Sequence, residues 1–126
     1  IVKEGASVQD NTVVHVLPEG QTVIGENATV GHGAVLHNCT IGKGAVVGIN
    51  SVVLDHAKVG EEAIIGAGSV VTGKSEIPAG HLATGSPAQV KKEISGDSLW
   101  YIRQGLIIYK GLRDNYLHEG TGRAAD

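Results

Sequence analysis

The sequence predicts an all-β solenoid, a coil of very short parallel strands, followed by one C-terminal α-helix. Two observations carry this. From Ile24 to Leu82 the chain divides into ten consecutive six-residue units, only one of them a residue short. Beyond Val90 the spacing of apolar residues changes from six to that of a helix.

The units read IGENAT, VGHGAV, LHNCT, IGKGAV, VGINSV, VLDHAK, VGEEAI, IGAGSV, VTGKSE and IPAGHL. Upstream, VKEGAS, VQDNTV and VHVLPE keep the same frame, and four residues, Gly20 to Val23, interrupt it. Position one is always Val, Ile or Leu. Position five is small at Ala6, Thr12, Ala28, Ala34, Ala45, Ser51, Ala57, Ala63 and Ser69, and position two is often glycine. A period of six fits neither a helix nor a heptad. It fits strands with a turn every six residues, an aliphatic and a small side chain pointing inward from each, and glycine relieving the corners. The competing reading, a β-sandwich, would require this spacing by accident. A solenoid buries its core only by stacking coil on coil.

A loop is expected at 83–90, marked by Gly85-Ser86-Pro87. A helix should then start at Ser95 or Asp97 and run to about His118, with Leu99, Ile102, Leu106, Tyr109 and Tyr116 near one face. Gly105 and Gly111 weaken it by about 1 kcal/mol each relative to alanine. It should therefore lie along the outside of the coil, with Trp100 packed into the contact. The expected organisation is a coil over 1–90 that lacks upstream turns, a helical segment over 91–119 and a tail over 120–126.

Composition sets bounds. The 126 residues suffice for one domain. A net charge of −3 gives no basic footprint for nucleic acid. With no Phe and no Met, aliphatic residues and alanine must build the core. The single cysteine, Cys39, rules out an intrachain disulfide and fits a reducing, cytoplasmic setting. No apolar run is long enough to span a membrane.

The chemistry lies in histidines. Units starting at 14, 36, 53 and 71 fall on one face, and those at 8, 30, 47 and 65 on the next. His15 and His37 both hold position two on the first of these faces. They are 22 residues apart, which is one 18-residue coil plus the four-residue insertion. Two outward imidazoles about one strand spacing apart suit two ligands of one metal ion. His32 lies across a corner and should reach such an ion only from a neighbouring subunit, which implies a threefold assembly. A surface histidine is more often a plain solvated side chain, and that reading is kept for His56, His81 and His118. Asp10 and His32 share position three one coil apart, so Asp10 is placed either to orient His32 or as an exposed acid in a turn.

Ser7–His15, Ile24-Gly25, Gly31-His32, Leu36–Gly42 and Gly85-Ser86-Pro87-Ala88 together resemble the gamma-class carbonic anhydrase-like family of hexapeptide-repeat proteins, over most of the chain. The resemblance implies a left-handed parallel β-helix, a homotrimer, and a metal held by His15, His32 and His37. It implies zinc, with iron or cobalt able to fit the same donors. It places Gln9, with Asp10 beside it, as the catalytic group near the metal-bound water. It implies hydration of CO2 to bicarbonate by zinc-bound hydroxide. The family's upstream Arg-Gly-Asp stretch does not occur in this sequence. Two other functions share the scaffold. One is an acyltransferase or thioesterase acting on acyl-coenzyme A, and the other a non-catalytic metal-binding assembly protein.

Overall fold

A computed structural model describes residues 1–119. The tail expected over 120–126 lies outside the described residues. The chain winds as a left-handed β-helix of triangular section and closes with one helix. The first face is a sheet ordered β1 (Ser7–Val8), β4 (Thr29–Val30), β7 (Val46–Val47), β10 (Ile64–Ile65), β13 (His81–Gly85) and β14 (Ala88–Glu93). The second holds β2 (Val13–His15), β5 (Val35–His37), β8 (Val52–Val53) and β11 (Val70–Val71), and the third β3 (Val23–Ile24), β6 (Thr40–Ile41), β9 (Lys58–Val59) and β12 (Glu76–Ile77). Pairing between coils is parallel throughout, and only β13 and β14 run antiparallel.

The six-residue frame explains the core. Ile24, Val30, Leu36, Ile41, Val47, Val53, Val59, Ile65, Val71 and Ile77, all at position one, are at most 5% exposed. Ala28, Ala34, Ala45, Ser51, Ala57, Ala63 and Ser69 fill position five and are equally buried. In the short unit the buried small place goes to Cys39. Val2, Val8 and Val14 hold the inward position in the first described coil and are 60%, 42% and 47% exposed.

Corners need residues with left-handed backbone, which Asn and Gly tolerate best. Asn27, Asn38 and Asn50 take it at φ 55°, 51° and 56°. Glycine at position two has another cause. A Cβ on Gly48 would stand 2.5 Å from the Ala67 amide nitrogen and 2.6 Å from the Ile65 carbonyl oxygen, both backbone atoms of the next coil. Gly48→Ala is therefore expected to destabilise the coil by about 1–3 kcal/mol. Denaturant unfolding of that variant against the parent checks this, and an unchanged midpoint would contradict the close approach.

Two expectations need correction. Residues 83–90 are not a loop. β13 and β14 form an antiparallel hairpin with its turn at Ser86-Pro87, so the glycine and proline mark a chain reversal. The helix, α1 (Gly96–Glu119), starts and ends near its expected limits, and the Leu99 N–H donates to the Ser95 carbonyl at its start (3.2 Å). It does lie along the coil. Arg103 pairs with Glu62 (3.6 Å), and Lys110 Nζ donates to Asn27 Oδ1 (2.8 Å). Both partners occupy the corner between the third and first faces, so α1 climbs that edge back toward the first coil. A narrow edge touches only a narrow stripe of helix. Leu99, Ile102 and Leu106 are half-buried, while Tyr109, Tyr116 and Trp100 are largely exposed. Trp100, expected in the contact, is 56% exposed.

Candidate functional site

The three edges of the coil carry different groups. One carries α1. The edge between first and second faces carries His32, and the edge between second and third faces carries His15 and His37. On the other two edges position two is glycine at Gly25, Gly31, Gly42, Gly48 and Gly60, each packed against the backbone of the next coil. On the second face β2 and β5 continue one residue further than most strands, through His15 and His37. Position two there still belongs to a strand, so its side chain projects outward from the wall.

His15 pairs with His37 in the parallel register, as the count of 22 residues requires. The rings stack with centroids 5.0 Å apart and planes 24° apart. His15 Nδ1 lies 3.0 Å from His37 Nε2. His37 Nδ1 lies 3.0 Å from Asp55 Oδ1. Three side chains from three successive coils thus form one hydrogen-bonded ladder, Asp55–His37–His15. It is partly shielded, with the His37 and Asp55 side chains 26% and 37% exposed.

Asp55 was missing from the sequence reading. Its signal was the face alone, since the unit beginning at Val53 lies on the face that carries His15 and His37, one coil further on. Next to it the buried Asn38 accepts the Gln21 N–H through Oδ1 (2.9 Å), tying the inserted loop to the same edge. The Thr22 hydroxyl donates to the His15 carbonyl (3.2 Å).

His32 is exposed in the turn after β4, across the face from His15 and His37. The structure does not bring it to them within one chain. Among the described residues no group of three His, Cys, Asp or Glu is placed to hold a metal ion. Asp10 and His32 do sit one coil apart at the same corner, where the Asp10 carbonyl accepts the Gly33 N–H (3.0 Å). No side-chain hydrogen bond joins those two residues. Gln9 follows β1, half-buried, and its N–H donates to the Val30 carbonyl (3.0 Å).

The donor set fits part of a metal site. Two imidazole nitrogens on a tetrahedral zinc stand about 3.3 Å apart, and His15 Nδ1 and His37 Nε2 are 3.0 Å apart. The carboxylate behind His37 is the partner that metal-binding histidines commonly have. One chain supplies two ligands, and a third must come from elsewhere. Cys39 is not a ligand or a nucleophile here. It is buried, and burial pushes its thiol up to about 11, which leaves little thiolate near neutral pH.

The coil, its six-residue frame and an imidazole ladder on one edge define a hexapeptide-repeat β-helix protein. The family described as bacterial transferase hexapeptide (six repeats) matches residues 38–73. The carnitine operon protein CaiE of Escherichia coli K12 is 40% identical over 112 residues, covering 89% of this chain and 57% of that protein. A hexapeptide transferase family protein from Anaplasma phagocytophilum is 38% identical with a TM-score of 0.84, over 90% of this chain and 66% of that one. A Bacillus cereus protein provisionally named an acetyltransferase is 35% identical with a TM-score of 0.78, over 93% and 64%. The chain is built of the six-residue repeats that this family model describes. It spans 57% of the length of the curated relatives it matches. Among the described residues no helix is long and apolar enough to cross a membrane.

Proposed function

We propose that the protein acts on acyl thioesters, moving an acyl group from coenzyme A to a hydroxyl, an amine or water, at a site completed between subunits of a homotrimer. The ladder Asp55–His37–His15 carries this reading, because a carboxylate-backed imidazole pair on an exposed edge is a general-base unit. A neutral imidazole accepts the proton of the attacking O–H or N–H as the new bond forms at the thioester carbonyl carbon. The C–S bond then breaks, and the thiolate leaves with that proton. Two relatives named as a transferase family protein and an acetyltransferase support the same class of chemistry. Thiol release from a panel of acyl-coenzyme A esters, with and without amine and hydroxyl acceptors, tests it. Release should exceed that of a His37→Asn control. No release from any ester would end this reading.

The arrangement of edges supports the trimer. His32 and the His15–His37 pair lie on different edges, and α1 occupies the third. Placing one subunit's His32 edge against its neighbour's imidazole pair makes a heterologous contact that closes on itself after three subunits. Light scattering is expected to give three chains per particle. A stable monomer with full activity would contradict a site shared between subunits.

The registered imidazoles favour a second reading, gamma-class carbonic anhydrase. His15 and His37 of one subunit and His32 of the next would hold zinc. When bound, that ion supplies Lewis acidity and acidifies water at the site. Gln9 would orient the attacking oxygen or bicarbonate. Stopped-flow CO2 hydration on zinc-loaded protein separates the two readings, since activity there without thiol release would favour this one.

A further inference from the structure

We infer that Asp55 is a positioning residue that fixes the tautomers of both imidazoles, leaving His15 Nε2 as the free lone pair of the site. The inference rests on the reading of the ladder as the functional centre, and it adds which nitrogen works and which residue decides it.

The direction of the ladder follows from what each group can donate. An ionised carboxylate only accepts hydrogen bonds. Asp55 Oδ1 lies 3.0 Å from His37 Nδ1, so that nitrogen carries the hydrogen. In a neutral ring the other nitrogen, Nε2, is then an acceptor. His15 Nδ1 stands 3.0 Å from it and must donate. His15 in turn is left with its lone pair on Nε2, the ring nitrogen farthest along the ladder from Asp55. A single carboxylate thereby sets the hydrogen positions of two rings across three coils.

The consequences differ for the two nitrogens of the inner pair. A proton taken up at His15 Nε2 gives an imidazolium whose Nδ1–H already points at His37, and through it at the Asp55 charge. An ion placed between His15 Nδ1 and His37 Nε2 would first require His15 to move its hydrogen from Nδ1 to Nε2. His37 needs no such change, because Asp55 holds its Nε2 bare.

The first arm of the test uses this chain with no substrate and no metal, and the second adds zinc alone. Long-range 1H–15N spectra at a pH about two units above the usual histidine range of about 6.5 report the tautomer of each ring. Both His37 and His15 are expected as the Nδ1–H form. Asp55→Ala should remove that fixed pattern at both residues, and Asp55→Glu should restore it in part. Titration with zinc alone, followed by calorimetry, should show about 10–100-fold weaker binding in Asp55→Ala, the usual cost of losing such a partner. His37 found as the Nε2–H form, or an unchanged pattern in Asp55→Ala with its melting curve intact, would overturn the inference. If Asp55→Ala proves unfolded, the wild-type tautomers decide alone. The spectra are independent of catalysis, so wild-type protein with the expected tautomers but no thiol release would sink the proposed activity and leave this inference standing.

Discussion

Replacing His37 by asparagine is expected to lower thioester turnover by up to about 10²–10⁴-fold, the usual contribution of a positioned general base, because His15 then loses the partner that holds it as that base. His37 is the middle rung of the ladder. It is the one residue that touches both Asp55 and His15. Removing its ring breaks the link between the carboxylate and the outer imidazole, so His15 loses its orienting partner as well. Stability should fall far less than the rate. The His37 side chain is outward and 26% exposed, while its neighbour Leu36 fills the core. The change removes two partly exposed hydrogen bonds, each worth about 0.5–1.5 kcal/mol net, and leaves the core packing in place. The measurement is kcat/KM alongside a thermal melt. A rate within threefold of the parent would show that the ladder does not carry the chemistry. A large loss of rate with a collapsed melt would show a structural role instead. Asparagine also removes one of the two nitrogens that fit zinc, so calorimetry on the same variant should show reduced zinc binding.

The coil was legible because its constraint is strictly periodic. Each position-one residue must point inward and each corner must turn, so the repeat shows through Ile24, Leu36 and Val53 without any alignment. The register of His15 with His37 followed by counting, including the four-residue insertion. The hairpin at His81–Glu93 was not legible as such, because Gly85-Ser86-Pro87 marks a break without stating whether the chain leaves or returns. The exposure of Trp100 was hidden for a different reason. Apolar residues surround α1 rather than lining one side, and sequence spacing cannot tell an edge contact from a face contact. Asp55 was not legible because it stands at position three of its unit while His15 and His37 stand at position two, so the six-residue frame alone does not align it with the imidazoles.

Ile65→Ala should cost about 2–5 kcal/mol of unfolding free energy, more than any surface change in this chain. Ile65 is fully buried and stands in register between Val47 on one side and Ala83 on the other. Neither neighbour is large enough to move into the space left behind, and both are held by parallel backbone pairing. The cavity therefore persists, and its cost adds to the lost transfer free energy. In a solenoid each coil contacts only its neighbours, so the loss weakens two interfaces, with the coil before and the coil after. Val2→Ala is the matched control. It removes an aliphatic side chain from the same inward position, but in this 126-residue chain Val2 is 60% exposed. Its truncation should cost less than about 1 kcal/mol, since little burial is lost. Denaturant unfolding of both variants measures the difference. Similar midpoints for the two would mean that inward position alone does not determine burial energy, and that stacking from both sides is not what stabilises the coil.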